Sequence, residues 1–335
     1  MSGADRTREG LAAFLSEQWA TPVAVENLLV ASAGARRRNV LFDALRDGAR
    51  VPLVATIIPS AAVQIMPIEV EASNLRLAEA AGMPAPHVHA VCDDARFVGG
   101  PFFVTARVAG ESIPRQVLRL VERDPPLGPR LARQCGEALA KLHAVDPAEA
   151  HAQIARPGDD PIEATLRAVA LLVRDLLQPS PAFALALGWL RRNRPPPPAR
   201  LAVVHGDFRN GNILVGPGGL LAALDWEICH VGDPMEDLGW LCQRMWRFRN
   251  DALEVGGFGA RADLRAGYEA AGGRFDASRF HWWKAMSTLR WGLGLAGQAK
   301  AHLDGSVPSV VMAASGRRVA ELEWDVLMLL RRGFA

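Results

Sequence analysis

Residues 205–225 read HGDFRNGNILVGPGGLLAALD and hold residue types from which chemistry can be built. Asp207 and Asn212 stand close together in a stretch punctuated by Gly206 and Gly211. Asp225 follows two short apolar runs, at 213–215 and 220–224. The runs predict a strand–turn–strand ribbon with an acidic residue at each end. A loop joined to such a ribbon can bring Asp207, Asn212 and Asp225 to one mouth. Hard oxygen ligands there suit Mg²⁺, and a remaining carboxylate can accept a hydroxyl proton. Together these are requirements of phosphoryl transfer.

Asp, Asn and Gly also form ordinary turns, so the pair alone is weak. The downstream stretch GDPMEDLGW at 232–240 strengthens it. Asp233-Pro234 starts a turn, and Asp237 falls in the first turn of a helix, where a negative charge is favoured.

The segments that must position these residues change character along the chain. Residues 8–19 form an amphipathic helix, with Leu11, Phe14, Leu15 and Trp19 on one face. Strand-like runs follow at 23–31, 38–45 and 51–58, joined by turns at Gly34 and at Arg46-Asp47-Gly48, an antiparallel meander. A helical pattern over 68–81 stops at Gly82, Pro84 and Pro86, and further strand runs cover 87–92 and 97–108. After Gly110 the pattern is helical. Leu131, Cys135, Leu139 and Leu142 mark a buried stripe ending at His143, which is expected to be a packed or surface helix-end residue and not a ligand. A helical region at 162–193 ends at the stiff proline tract 195–198. Six tryptophans, Trp240, Trp246, Trp282, Trp283, Trp291 and Trp324, are expected to serve mostly as core or groove walls.

Composition excludes several classes. The chain has 335 residues, half of them hydrophobic, with a formal net charge of +2. That length suits two lobes. No apolar run is long enough for a membrane helix, and the N-terminus lacks the apolar core of a signal peptide, so a soluble cytoplasmic protein is expected. Arginines are dispersed apart from Arg36, Arg37 and Arg38, which gives no reason to expect nucleic acid or a membrane as partner. Cys92, Cys135, Cys229 and Cys242 lack metal-ligand spacing and fit buried, reduced thiols. Of 38 basic residues only Lys141, Lys284 and Lys300 are lysines, so none precedes residue 141.

The spacing His-x-Asp-x-x-x-x-Asn from His205 to Asn212, with Asp225 after it, resembles the catalytic loop and metal-binding Asp of protein kinases. The HGD form resembles the aminoglycoside phosphotransferase and choline kinase branch. Stretches at 82–88 (GMPAPHV), 100–110, 138–147, 203–215 and 223–241 are similar, in order, to the branch attached to some acyl-CoA dehydrogenases. The resemblance implies an α+β, protein kinase-like two-lobed fold. A small lobe with a five-stranded antiparallel sheet and one helix would cover 1–108, and a larger, mainly helical lobe 109–335.

It also implies roles. ATP would sit between the lobes, its adenine on the backbone of a hinge at Thr105, Ala106, Arg107 and Val108. Asn212 and Asp225 would hold Mg²⁺, Asp207 would be the base, and Arg209 would face the transferred phosphoryl group. His205 and Asp237 would support the loop. Glu71 falls where the family's small-lobe helix carries an ion-pairing Glu. Its usual lysine partner is missing: Thr56 stands nearest that place and carries no charge. The phosphate loop around Gly34 is glycine-poor, and Arg36 or Arg37 is the available substitute cation.

The expected activity is therefore ATP- and Mg²⁺-dependent transfer to a hydroxyl of a small molecule. The missing lysine keeps a nucleotide-binding pseudokinase as the alternative. A Mg²⁺-dependent hydrolase on another fold is a third. Over 250–290, Asp251, Glu254, Asp263, Glu269 and Asp276 are interleaved with Arg249, Arg261, Arg265, Arg274 and Arg279. This balance favours a neutral or anionic acceptor, by resemblance a hydroxyacyl compound, over a polycationic antibiotic.

Overall fold

The computed structural model of the chain describes residues 3–33, 37–59, 64–158 and 160–331. Gly34 and Arg36 lie outside the described residues. Among the described residues no helix is long and apolar enough to cross a membrane.

The fold is two-lobed α+β. Helix α1 (Gly3–Trp19) begins earlier than the apolar periodicity indicates and buries Leu11, Phe14 and Leu15. Strands β1 (Val23–Ala33), β2 (Arg38–Arg46) and β3 (Ala49–Ile57) form the meander. The β2–β3 turn places Asp47 and Gly48 at φ +50° and +76°, the left-handed pair that suits the twist of a tight hairpin. Helix α2 (Ile68–Ala80) follows, then β4 (Val88–Cys92), a short helix α3 (Ala95–Val98) and β5 (Phe102–Ala106). The sheet order is β1-β2-β3-β5-β4, all antiparallel. Its core runs from Leu11 and Phe14 of α1 to Phe42, Leu53, Phe102 and Val104.

One expected strand is shorter than its apolar run. Residues 97–108 do not pair throughout, because the Asp94 carboxylate caps the Arg96 N–H at 2.9 Å and starts α3. Gly99, at φ +85°, then turns the chain before β5.

The larger lobe starts with α4 (Pro114–Arg123) and α5 (Leu127–Ala144). The stripe Leu131, Cys135, Leu139 and Leu142 is fully buried. The helical region expected at 162–193 is two helices, α6 (Pro161–Arg174) and α7 (Pro181–Arg192). Ser180 accepts the Phe183 N–H and Pro181 occupies the first turn, a start signal that divides the segment.

Strand β6 (Ala202–Val204) enters the site, and β7 (Ile213–Gly216) with β8 (Gly219–Ala223) forms the expected ribbon. Strand β9 (His230–Gly232) pairs with β6. Helices α8 (Met235–Leu241), α9 (Arg261–Ala270), α10 (Ala277–Leu303), α11 (Val310–Gly316) and α12 (Val319–Arg331) complete the lobe around one continuous apolar core.

Candidate active site

The loop from His205 to Asn212 is held from behind by one buried carboxylate. Asp237, on the first turn of α8, accepts the N–H groups of His205 and Gly206, each at 2.8 Å. It also meets His143 Nε2 at 3.1 Å, and His143 Nδ1 meets the Tyr268 hydroxyl at 3.0 Å. Burial would raise the Asp237 pKa, but the His143 contact, the neighbouring imidazoles and the loop N–H groups hold it below the ordinary value. Gly206 has φ +83°, and a Cβ there would lie 2.6 Å from the Ile228 carbonyl oxygen, so the loop requires glycine.

His205 ties the two ends of the ribbon together. Its Nε2 lies 3.1 Å from the Leu224 carbonyl and its Nδ1 accepts the Asp207 N–H at 3.2 Å. Those partners fit the neutral ring with the proton on Nε2, and burial lowers the pKa in the same direction.

Three donors converge on the Asp207 carboxylate. Oδ1 accepts Arg209 Nε at 2.9 Å and Trp240 Nε1 at 2.7 Å, and Oδ2 accepts Asn212 Nδ2 at 2.6 Å. Burial nevertheless pushes its pKa up, opposed by Arg209, which gives a carboxylate better suited to receive a proton. The Arg209 guanidinium lies 4.6 Å from the centroid of Trp246.

On the small-lobe side the cation is Arg37. Its Nη1 and Nη2 donate to Glu71 Oε1 and Oε2 at 2.7 and 2.9 Å. Its Nε donates to Glu227 at 3.0 Å, and Nη1 lies 3.3 Å from Asp225 Oδ1. Burial opposes the charge on Arg37, but Glu71, Asp225 and Glu227 more than offset it and raise the pKa. Burial pushes the Glu71 carboxyl up while Arg37 pulls against it. Thr56 donates to Asn39 Oδ1 at 3.0 Å and lines the same cleft.

At the hinge, the Ala106 N–H is engaged by the His87 carbonyl at 2.8 Å and the Arg107 N–H by the Pro52 carbonyl at 3.0 Å. The Arg107 side chain holds Asp43 at 2.6 Å. Thr105 is paired within the sheet. Among the described residues the Val108 N–H makes no such backbone bond, and Val108 lines the cleft.

Asp225 and Asn212 fit a magnesium ion by the chemistry of their donors. Asp225 Oδ1 is buried and makes no hydrogen bond; its charged neighbour, Arg37 Nη1 at 3.3 Å, leaves it able to coordinate a cation. The Asn212 amide nitrogen is engaged by Asp207, which leaves its oxygen as the ligand atom. Among the described residues no group of three or more His, Cys, Asp or Glu side chains is arranged as a metal site. Few protein ligands is the usual pattern for Mg²⁺ bound together with substrate phosphates. Asp225 has φ +65°, a left-handed conformation uncommon for a non-glycine residue.

Asn212, Asp225, Arg37, Glu71, Thr56 and the hinge residues line one cleft of about 480 Å³. Residues 28–274 match the APH model, described as the phosphotransferase enzyme family. The chain belongs to this family. Acyl-CoA dehydrogenase family member 10 of Mus musculus is 27% identical over 293 residues, covering 81% of this chain and 26% of that protein. Acyl-CoA dehydrogenase family member 11 of Gallus gallus is 32% identical over 172 residues, covering 49% of this chain and 21% of that protein. The chain thus spans about a quarter of the length of these curated relatives.

Solved structures agree in fold. A putative aminoglycoside phosphotransferase of Ralstonia eutropha superposes with a TM-score of 0.71 at 22% identity, covering 97% and 98% of the two chains. Aminoglycoside phosphotransferase APH(4)-Ia, in a ternary complex with ADP and hygromycin B, gives 0.66 at 18% identity, covering 97% and 99%.

Within this phosphotransferase-family chain, four contributors escaped sequence reasoning: His143, Tyr268, Glu227 and Trp240. His143 and Tyr268 reach Asp237 across long sequence separations, which no local pattern reveals. Glu227 follows Asp225 by two positions, and Trp240 follows Asp237 by three on one helix. Both spacings were readable, but only with the partner's position known.

Proposed function

We propose that this chain catalyses ATP- and Mg²⁺-dependent phosphoryl transfer to a hydroxyl group of a small molecule. The observation that carries the reading is the meeting, at one cleft, of Asn212 and Asp225 with the Arg37–Glu71 pair, with the Asp207 carboxylate bonded to Asn212 beside it. Asn212 and Asp225 would hold the metal, whose chemistry when bound is to neutralise phosphate charge and orient the donor. Arg37, held by Glu71, Glu227 and Asp225, would bring positive charge to the phosphate end of the cleft. Asp207 orients the acceptor hydroxyl and takes its proton. Arg209 offsets charge on the moving phosphoryl group, and Val108 receives the adenine edge. His205 and Asp237 keep the loop in register.

The acceptor is read as neutral or anionic, with a hydroxyacyl compound the leading class. Carboxylates that could have received a polycation are engaged internally: Asp251 by Arg244 at 3.0 Å, Glu254 by Arg261 at 2.7 Å and Glu269 by Arg265 at 3.0 Å. The test is ADP release from Mg²⁺-ATP across a panel of hydroxyl compounds, with Asp207→Asn as control and nucleotide-induced thermal shift measured in parallel. Acceptor-dependent release absent from the control supports the reading. A thermal shift without release supports a nucleotide-binding module instead, and neither signal would remove both.

A further inference from the structure

Two observations about the Asp207 carboxylate go beyond the roles assigned so far. Its two oxygens are treated differently. Oδ1 receives two N–H donors, Arg209 Nε and Trp240 Nε1, while Oδ2 receives one, from Asn212. A carboxylate oxygen offers about two in-plane lone-pair directions. Oδ1 is therefore saturated, and Oδ2 retains one direction. Trp240, moreover, is held firmly. It is buried, and its ring packs against Trp246 and Trp291 at centroid distances of 5.7 and 5.9 Å. It also stands three residues after Asp237, on the same face of α8. One short helix thus braces the loop backbone through Asp237 and aims the side chain of the base through Trp240.

We infer that Trp240 is a positioning residue for Asp207: its indole N–H, together with Arg209 Nε, occupies Oδ1 and leaves Oδ2 as the atom that accepts the acceptor's proton. The inference rests on the phosphoryl-transfer reading. In that step the acceptor oxygen forms a bond to the γ-phosphorus of ATP. The bond from that phosphorus to the bridging oxygen breaks, with its electron pair leaving on ADP, and the hydroxyl proton passes to Oδ2. A carboxylate free to rotate about its Cβ–Cγ bond would offer either oxygen. The indole removes that freedom at an atom that does not receive the proton.

The experiment compares Trp240→Phe with Trp291→Phe. The first keeps an aromatic ring and loses the N–H, whereas the second trims a ring that packs on Trp240. Trp240→Phe is expected to lower kcat by about tenfold to a hundredfold while the KM for ATP stays within about twofold. Trp291→Phe should leave kcat within about twofold of wild type.

A readout independent of turnover is the Trp240 indole ¹⁵N–¹H resonance, which should move in Asp207→Asn. Equal kcat values in the two variants, or an indole resonance indifferent to Asp207→Asn, would overturn the inference. Wild-type protein releasing no ADP with any acceptor would sink the phosphoryl-transfer reading and its proton step. A responsive indole would in that case still uphold the Trp240–Asp207 bond.

Discussion

Arg37 and Glu71 face each other through two parallel hydrogen bonds, Nη1 to Oε1 at 2.7 Å and Nη2 to Oε2 at 2.9 Å. Glu71 on α2 has a cationic partner although the chain holds no lysine before residue 141. The cation comes from the residue just before β2 instead of from β3, and it reaches Glu227 and Asp225 as well. The planar fork of arginine can grip several carboxylates at once, which a lysine ammonium does less well.

Arg37→Ala is expected to raise the KM for ATP by about tenfold or more. Removing one partner of so buried a pair should also cost roughly 3 kcal/mol of stability. Thr56→Lys in the Arg37→Ala background should recover part of the ATP affinity, since residue 56 lines the same cleft. Steady-state kinetics with both variants decides the matter, and an unchanged KM in Arg37→Ala would contradict the phosphate-holding role.

Asp207→Asn removes the proposed base and keeps the shape. Turnover should fall by roughly a hundredfold to ten-thousandfold, while the thermal shift given by Mg²⁺-ATP persists. Loss of both together would mean that Asp207 serves nucleotide binding and not proton transfer.

Asp225→Asn removes one charge from the proposed metal site. Nucleotide at a hundred times its Kd stabilises a protein by about 2.7 kcal/mol, and the magnesium-dependent part of that increment should vanish in the variant. Differential scanning fluorimetry with ATP, with and without Mg²⁺, measures it. An equal increment in wild type and variant would place the metal elsewhere.

The support behind the loop gives a stability prediction. His143→Ala leaves a buried Asp237 oxygen and the Tyr268 hydroxyl each short of a partner, at an expected cost of about 2–3 kcal/mol. Tyr268→Phe should cost about 1 kcal/mol, because one hydrogen bond is lost. Urea denaturation distinguishes them, and equal costs would refute the ordering.

Acid sensitivity should trace to Glu236. Burial would raise its pKa, but His230 and Arg290 bring it down from 4.5 to about 2. A carboxylate depressed on folding contributes stability that is fully present above about pH 4.5 and lost as pH falls towards about 2. Glu236→Gln should therefore be less stable at pH 7 and show a flatter decline between pH 4.5 and 2. Parallel acid-denaturation curves for the two proteins would exclude this source.

What could be read in advance follows from the range of the interactions. The β7–β8 ribbon, the 68–80 helix and the α5 stripe are local patterns of period two or 3.6, and the structure returns them nearly unshifted. The split at Ser180-Pro181 was also written locally, as a cap followed by a first-turn proline, but a longer apolar run concealed it. Around the site, Asp207, Asn212 and Asp225 were legible because one loop and one hairpin carry them. Arg37 could be offered only alongside Arg36, since nothing local says which side chain turns towards α2. His143 is a buried helix-end residue, within what its position allows, and its bonds to Tyr268 and Asp237 are the part that local pattern does not show. Such long-range bonds depend on how α5, α8 and α9 stack, which no window of sequence encodes.

The left-handed backbone at Asp225 has an evolutionary and practical consequence. A side chain at φ +65° stores on the order of 1 kcal/mol that glycine would release and asparagine would reduce. A library of this protein sorted for heat resistance alone would therefore drift at position 225 towards residues unable to carry the charge. If Asp225 holds the metal as proposed, thermal robustness and chemistry pull in opposite directions at this residue, and enrichment data from such a library would show the conflict.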